Sequence, residues 1–260
     1  MNVIDTGSGL PMVLLHAFPV DSRMWDGVRS DLAANVRVIT PDQRGLGWTP
    51  LPRDGRPPSL NDVAADVIAM LDQLGLERVV LGGCSMGGYV AMAILRFARR
   101  RVAGLILSDT KVGADSVEQV VNRLSVAERA ETEGSKGWLA ENMVPNLLGD
   151  TSLAERPGAV NVLHALIEEQ PAAGVSWAQR AMAVRRDATE VLRNTAIPAL
   201  VMVGEQDKIT PIAEAERLTD TLPYGELTVL PRVGHLPAFE DPRTFTDTVM
   251  RWLSRFARKG

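Results

Sequence analysis

The segment Gly83-Cys84-Ser85-Met86-Gly87 constrains this 260-residue chain more than any other, because it stands between Val79-Val80-Leu81 and Tyr89-Val90-Ala91-Met92-Ala93-Ile94-Leu95. The first run is β-branched and apolar and reads as a strand, and the second reads as a helix. A turn this tight between strand and helix forces the serine backbone into a strained conformation. Glycines two residues to either side remove the side chains that would collide there. The Ser85 hydroxyl is then presented outward, as a nucleophile requires. The plainer alternative is a glycine-rich turn whose serine caps the helix, so the decision rests on partners elsewhere in the chain.

The chain is long enough for one large α/β domain, and a second full domain would leave each half small. With 45% hydrophobic and 23% charged residues, disorder is not expected. Lysine and arginine total 28 against 32 aspartate and glutamate, a net charge of -4 that offers no field to nucleic acid or to an anionic membrane. Neither partner is expected. The basic cluster Arg99-Arg100-Arg101 falls where the helix after Ser85 should end, and cations there complement the helix dipole. Cys84 is the single cysteine, so no intrachain disulfide can form. Its side chain should point away from the hydroxyl of Ser85. No basic segment with an apolar core opens the chain, and no stretch approaches 18 uninterrupted apolar residues. The expected location is the cytoplasm.

Short apolar runs recur at 12–15, 36–40, 79–81, 104–107, 199–203 and 227–230, with helical patterns between them. That alternation predicts a mostly parallel sheet with helices on both faces. Residues 59–74 form one clear helix, with Val63, Val67, Ile68 and Leu71 on a stripe. Residues 241–258 form another, with Phe245, Val249, Trp252 and Phe256 on a stripe, and Ser59 and Asp241 read as the N-caps. The alternation lapses after 107. Residues 112–186 carry only helical segments, so the expected organisation is a core of residues 1–111 and 187–260 with 112–186 as a helical lid. A lid there would cover the carboxyl ends of the strands, where open α/β sheets place ligands. Met143, Trp177 and Met182 are its candidate pocket walls. The proline-rich stretch 49–58 reads as a surface loop.

A serine needs a base within hydrogen-bond reach, and that base needs an acid to hold its tautomer. Of the three histidines, His235 in Gly234-His235-Leu236-Pro237 follows the last strand and precedes the final helix, so it falls at the carboxyl edge and is the candidate base. His164 lies in the helical insertion and reads as structural or pocket-lining. His16 follows the run 12–15 and reads as a brace for its own loop. For the acid, Asp207 follows the run 199–203 and keeps the chain order Ser, acid, His. Asp109, after the run 104–107, is held in reserve, and Glu205 stands third. Developing charge on a substrate oxygen needs backbone donors. The Met86 amide is one candidate. The Phe18 amide in His16-Ala17-Phe18-Pro19 is the other, since Pro19 has no N–H.

Taken together, His16-Ala17-Phe18-Pro19, Asp42-Gln43-Arg44-Gly45-Leu46-Gly47, the Ser85 turn, Gly204-Glu205-Gln206-Asp207 and Gly234-His235 resemble the α/β-hydrolase fold superfamily over residues 3–258. The resemblance implies the α/β-hydrolase fold with a helical lid, and a serine hydrolase acting on a small or medium carboxylic ester or lactone. It implies Asp42 and Arg44 as braces of the oxyanion loop. Ala17 stands where the superfamily usually has glycine, and only one strand is expected ahead of the run 12–15. A serine at the turn argues against haloalkane dehalogenases and epoxide hydrolases, which use aspartate there. Tyr89 and Tyr224 also fall outside the insertion, where epoxide hydrolases place activating tyrosines. Met86 stands where proline iminopeptidases usually have tryptophan. The segment Ser85-Met86-Gly87-Gly88 is similar to 3-oxoadipate enol-lactonases, which form the specific alternative; carbon–carbon bond hydrolases share the same triad. A small-molecule receptor on this fold is the alternative of another class. No metal or cofactor is expected, since His-x-x-x-His, Cys-x-x-Cys and glycine-rich phosphate patterns are missing.

Overall fold

The computed structural model describes residues 1–256, the side chain of Phe256 excepted. Seven strands form one sheet: β1 (Val3–Thr6), β2 (Pro11–Leu15), β3 (Arg37–Pro41), β4 (Val79–Cys84), β5 (Val102–Ser108), β6 (Ala199–Gly204) and β7 (Gly225–Leu230). Their order is β1-β3-β2-β4-β5-β6-β7. Only β1 runs antiparallel, along β3. It is the single strand expected ahead of β2. Every residue of β4 and β6 is buried, as a strand covered on both faces demands, which is why these segments read as continuous apolar runs rather than alternating ones.

Twelve helices surround the sheet among the described residues: α1 (Asp26–Ala33), α2 (Leu60–Gln73), α3 (Met86–Ala98), α4 (Val117–Glu133), α5 (Trp138–Leu147), α6 (Asp150–Glu155), α7 (Pro157–Glu168), α8 (Ala172–Ala183), α9 (Thr189–Arg193), α10 (Ile212–Thr221), α11 (Pro237–Glu240) and α12 (Pro242–Phe256). Helix α1 packs on α12, while α2 packs on α3 and α3 on α9. Most of the expected stripes face inward: Val63, Val67 and Leu71 of α2 are buried while Ile68 is half-buried, and Phe245, Val249 and Trp252 of α12 are buried, with the Phe245 ring 5.9 Å from that of Trp25. Ser59 Oγ accepts from the Asn61 amide and Asp241 Oδ1 from the Thr244 amide, so both act as N-caps. Positions 257 and 258 of the expected final helix, and the Phe256 side chain, lie outside the described residues. Arg99 and Arg101, just past α3, bond the carbonyls of Asn194, Leu76 and Glu77.

Between β5 and β6 the chain forms α4 to α9 and no strand, with α4 to α8 in the stretch expected as the insertion. Helices α4 and α8 pack together, and α7 packs on α5 and α6. This segment is tied to the rest by close contacts. A Cβ on Gly174 of α8 would lie 1.6 Å from the Gly45 carbonyl oxygen, so the helix backbone rests directly on that loop. The Gln170 side chain accepts from the Gly47 amide and donates to Asp21.

Sheet register fixes where the loops emerge. Leu15 pairs with Gly83, Cys84 with Ser108, Ser108 with Met202 and Gly204 with Leu230, so the carboxyl ends of β2, β4, β5, β6 and β7 lie at one edge. The chain moves outward from β2 to β3 and then restarts at β4 on the other side. That reversal is the topological switch point where open α/β sheets hold ligands.

Candidate active site

Ser85 sits at the turn from β4 into α3 with φ 51° and ψ −111°, a positive φ that a residue with a side chain rarely adopts. The flanking glycines allow it. A Cβ on Gly83 would come within 2.3 Å of the Gly87 carbonyl group, and a Cβ on Gly87 within 2.1 Å of the Leu15 carbonyl oxygen. The turn is pinned by the Ser85 amide donating to the Ser108 carbonyl at 2.9 Å, and by Thr110 Oγ1 donating to the Ser85 carbonyl at 3.0 Å. Cys84 is buried on the strand, its thiol against the His235 carbonyl oxygen. Burial first, then the charges of Asp109, Asp207 and Glu240, push that thiol well above its usual range, so it is unreactive.

His235 and Asp207 meet at the same edge. Nδ1 of His235 lies 2.8 Å from Oδ2 of Asp207. The aspartate is itself fixed: Oδ1 accepts from the amides of Ile209 and Thr210, and Oδ2 from the Thr210 hydroxyl at 2.6 Å. Burial alone would raise this carboxyl, but the His235 ring and the donors of Thr210 outweigh it and hold Asp207 below the ordinary carboxylate value. Acceptance by Asp207 places the imidazole proton on Nδ1 and leaves Nε2 as the lone-pair nitrogen. Nε2 makes no hydrogen bond among the described residues, and neither does Ser85 Oγ.

Asp109 occupies the neighbouring position at the end of β5, where its Oδ1 accepts from the Gly204 amide at 2.8 Å and its Oδ2 meets Ser108 Oγ at 2.5 Å. Burial and then the nearby Asp207 charge push its carboxyl well above the ordinary value. Asp109, Asp207 and His235 bring ligand-type atoms within 4.8 Å of one another. With Nδ1 already held directly by Asp207, the environment drives the two carboxyls apart, Asp207 toward its ionised form and Asp109 toward its protonated form. Glu205 is exposed and accepts from the Arg232 amide, so it points elsewhere.

The loop after β2 is braced from within. His16 is fully buried, and its Nε2 accepts from the Gln43 amide at 2.9 Å while Nδ1 meets the Ala17 carbonyl at 2.9 Å. Burial lowers its pKa, so it stays neutral with the proton on Nδ1. Asp42 takes the amides of Ser22 and Trp48. Arg44 departs from the expectation that it braces this loop: it forms a two-point ion pair with Asp66 of α2, and its guanidinium lies 5.4 Å from the Trp177 ring. A planar fork matches a carboxylate and an aromatic face together, so Arg44 joins α2 to α8 instead. Neither the Phe18 nor the Met86 amide has an acceptor among the described residues.

Met182 is buried with its sulfur against Arg123, Met143 is half-buried on the core, and His164 is half-buried on α7. Two polar residues that shape the site escaped the sequence reading. Thr210 completes the shell of Asp207. Glu240, buried on α11, accepts from the Gly234 and Leu236 amides on both sides of His235 and, with its other oxygen, from the Gly149 amide of the inserted segment. The His235 amide in turn donates to the Leu147 carbonyl. An acid within an otherwise apolar Leu-Pro-Ala-Phe run was the available signal for Glu240.

Comparison with known proteins agrees with this geometry. The sequence profile described as "Alpha/beta hydrolase family" matches residues 12–248. A thermophilic esterase from Thermogutta terrifontis is 40% identical, with 98% of this chain and 93% of that chain covered and a TM-score of 0.94. A 2-hydroxy-6-oxo-2,4-heptadienoate hydrolase from Pseudomonas putida is 27% identical over 97% of this chain and 92% of its own length. A 3-oxoadipate enol-lactonase from Acinetobacter baylyi is 26% identical over 94% and 89%. From a strained serine turn at the switch point, a histidine–aspartate pair at the same sheet edge and a family match across most of its length, the chain belongs to the alpha/beta hydrolase family.

Proposed function

We propose that the protein is a serine hydrolase that cleaves a small or medium carboxylic ester or lactone through an acyl-serine intermediate, with Ser85 as nucleophile, His235 as general base and Asp207 as its orienting acid. The observation that carries the reading is the 2.8 Å contact from His235 Nδ1 to a fully ligated Asp207 carboxylate, which leaves the Nε2 lone pair free at the edge where the turn places Ser85. In the first step Nε2 takes the hydroxyl proton as Oγ bonds to the acyl carbon. The carbonyl oxygen gains the negative charge, and the amides of Phe18 and Met86 meet it. Each such donor supplies about 3 kcal/mol to the transition state. Collapse breaks the carbon–oxygen bond, the leaving alcohol takes the proton from Nε2, and water repeats the sequence to release the acid. The segment α4 to α8 acts as the lid, held to the histidine loop through Glu240.

The 40% identical esterase supports ester cleavage. Carbon–carbon bond hydrolysis is the second reading, supported by the 27% identical heptadienoate hydrolase. A panel of p-nitrophenyl esters, lactones and a vinylogous diketone, run on the native protein and on Ser85→Ala, tests both. Expected is ester or lactone turnover that falls by roughly 10⁶-fold in the variant. Diketone cleavage without ester turnover selects the second reading. Equal rates for the two proteins would defeat both and favour a receptor.

A further inference from the structure

A cavity of about 200 Å³ lies against α3, where the inserted segment leaves and rejoins the core. Tyr89 and Arg96 of α3, Lys111 at the departing end, and Arg185 and Arg186 at the returning end line it, and none of its lining residues is acidic. The charge is partly buried. The Arg185 side chain is only 6% exposed, and its guanidinium sits 4.1 Å from the Tyr89 ring centroid. Both terminal nitrogens of Arg185 are shielded from solvent and make no hydrogen bond. Nη2 is 3.0 Å from Asp115 Oδ1, an ion pair without hydrogen-bond alignment. That one carboxylate is shared with Lys111 and Arg123. Three cations therefore surround a single anion, and Arg96 and Arg186 add to the excess at the rim.

Partly buried cations in excess of the carboxylates that pair them are costly, and an anion held in a cavity without acidic lining offsets that cost. We propose that this cavity binds a small oxyanion, the carboxylate or phosphate group of a small molecule, with Lys111, Arg96 and Arg186 as its donors and the buried charge of Arg185 adding to the field. An anion there would bridge α3 to both ends of the inserted segment. The site is independent of the chemistry at Ser85.

Calorimetric titration of the native protein at low ionic strength, with inorganic phosphate in one arm and succinate in the other, tests the proposal. Saturable one-to-one binding in at least one arm is expected, and the arm that binds identifies the anion. Arg185→Met should weaken it by at least about tenfold. Because that substitution also removes a partner of Asp115, the double variant R96Q/R186Q provides the second test. Arg186 is exposed, and Arg96 bonds only the Asp187 carbonyl, so the fold is retained. The double variant should weaken binding by about fivefold and steepen no other transition. Absence of saturable binding in both arms, unchanged affinity in R96Q/R186Q, or native affinity in a folded Arg185→Met protein would each overturn the site.

Discussion

Replacing Asp109 by asparagine should make the protein more stable as the pH rises, relative to the native chain. The Asp109 side chain is buried and close to the Asp207 carboxylate, and both effects favour its protonated form. Asparagine is nearly isosteric with that form. Its amide oxygen can keep the Gly204 hydrogen bond, and asparagine tolerates the φ of 49° found here. The folded value is raised above the ordinary 3.8, so the native state holds a proton that the unfolded chain releases. The associated stabilisation is complete below the unfolded value and is lost as pH rises toward the folded one. For one proton the loss is about 1.4 kcal/mol per pH unit, whereas asparagine has no such dependence. Urea unfolding of both proteins at closely spaced pH values upward from about pH 5, where the unfolded carboxyl is already ionised, measures the difference. The stability gap should move in favour of Asp109→Asn by about 1.4 kcal/mol per unit. A gap that stays flat across this range would show that Asp109 is already ionised in the native state and refute the two-carboxyl reasoning.

Asp207→Asn should lower ester turnover by roughly 10⁴-fold by spoiling the imidazole tautomer, while Asp109→Asn retains most activity; steady-state kinetics decides, and the reverse ranking would transfer the acid role to Asp109. Glu240→Ala strips the acceptor from three buried amides at Gly234, Leu236 and Gly149 and should cost about 3 kcal/mol or more in denaturant unfolding; an effect below about 1 kcal/mol would remove Glu240 as the link between lid and histidine loop. Gly87→Ala drives a Cβ into the Leu15 carbonyl, parting α3 from β2 and hence the Met86 and Phe18 amides. Turnover should fall by about 10²-fold with the fold retained, as circular dichroism and kinetics together would report.

The parts of the molecule readable from sequence are those whose environment is uniform. Strands β2, β4 and β6 are covered on both faces, so β2 and β6 are apolar runs; β4 is paired on through Gly82 and Gly83, which carry no apolar signal, so its run in the sequence stops at Leu81. Helices α2 and α12 show their stripes because one face packs and the other does not. Helix α4 hid its boundaries: among its 17 residues only Ala127 and Ala130 are buried, and alanine marks no face. Ser85, Asp207 and His235 were legible because each follows a strand end, and the register that aligns those ends is set by the sheet. Thr210 acts on Asp207, three residues before it, and Glu240 on Gly234 and Leu236 in its own segment; the reach of Glu240 to Gly149, 91 residues away, is encoded by nothing local. The resemblance alone implied a brace role for Arg44, whereas the fold supplies Asp66 and Trp177 as its neighbours.

Intact-mass spectrometry of the protein quenched in acid during turnover of a p-nitrophenyl ester addresses the acyl-serine directly. A mass increment equal to the acyl group, mapped by peptide digestion to Ser85 and missing in Ser85→Ala, is the result expected. Steady hydrolysis with no trapped acyl group under pre-steady-state quenching, or the group found on another residue, would contradict a covalent route through Ser85.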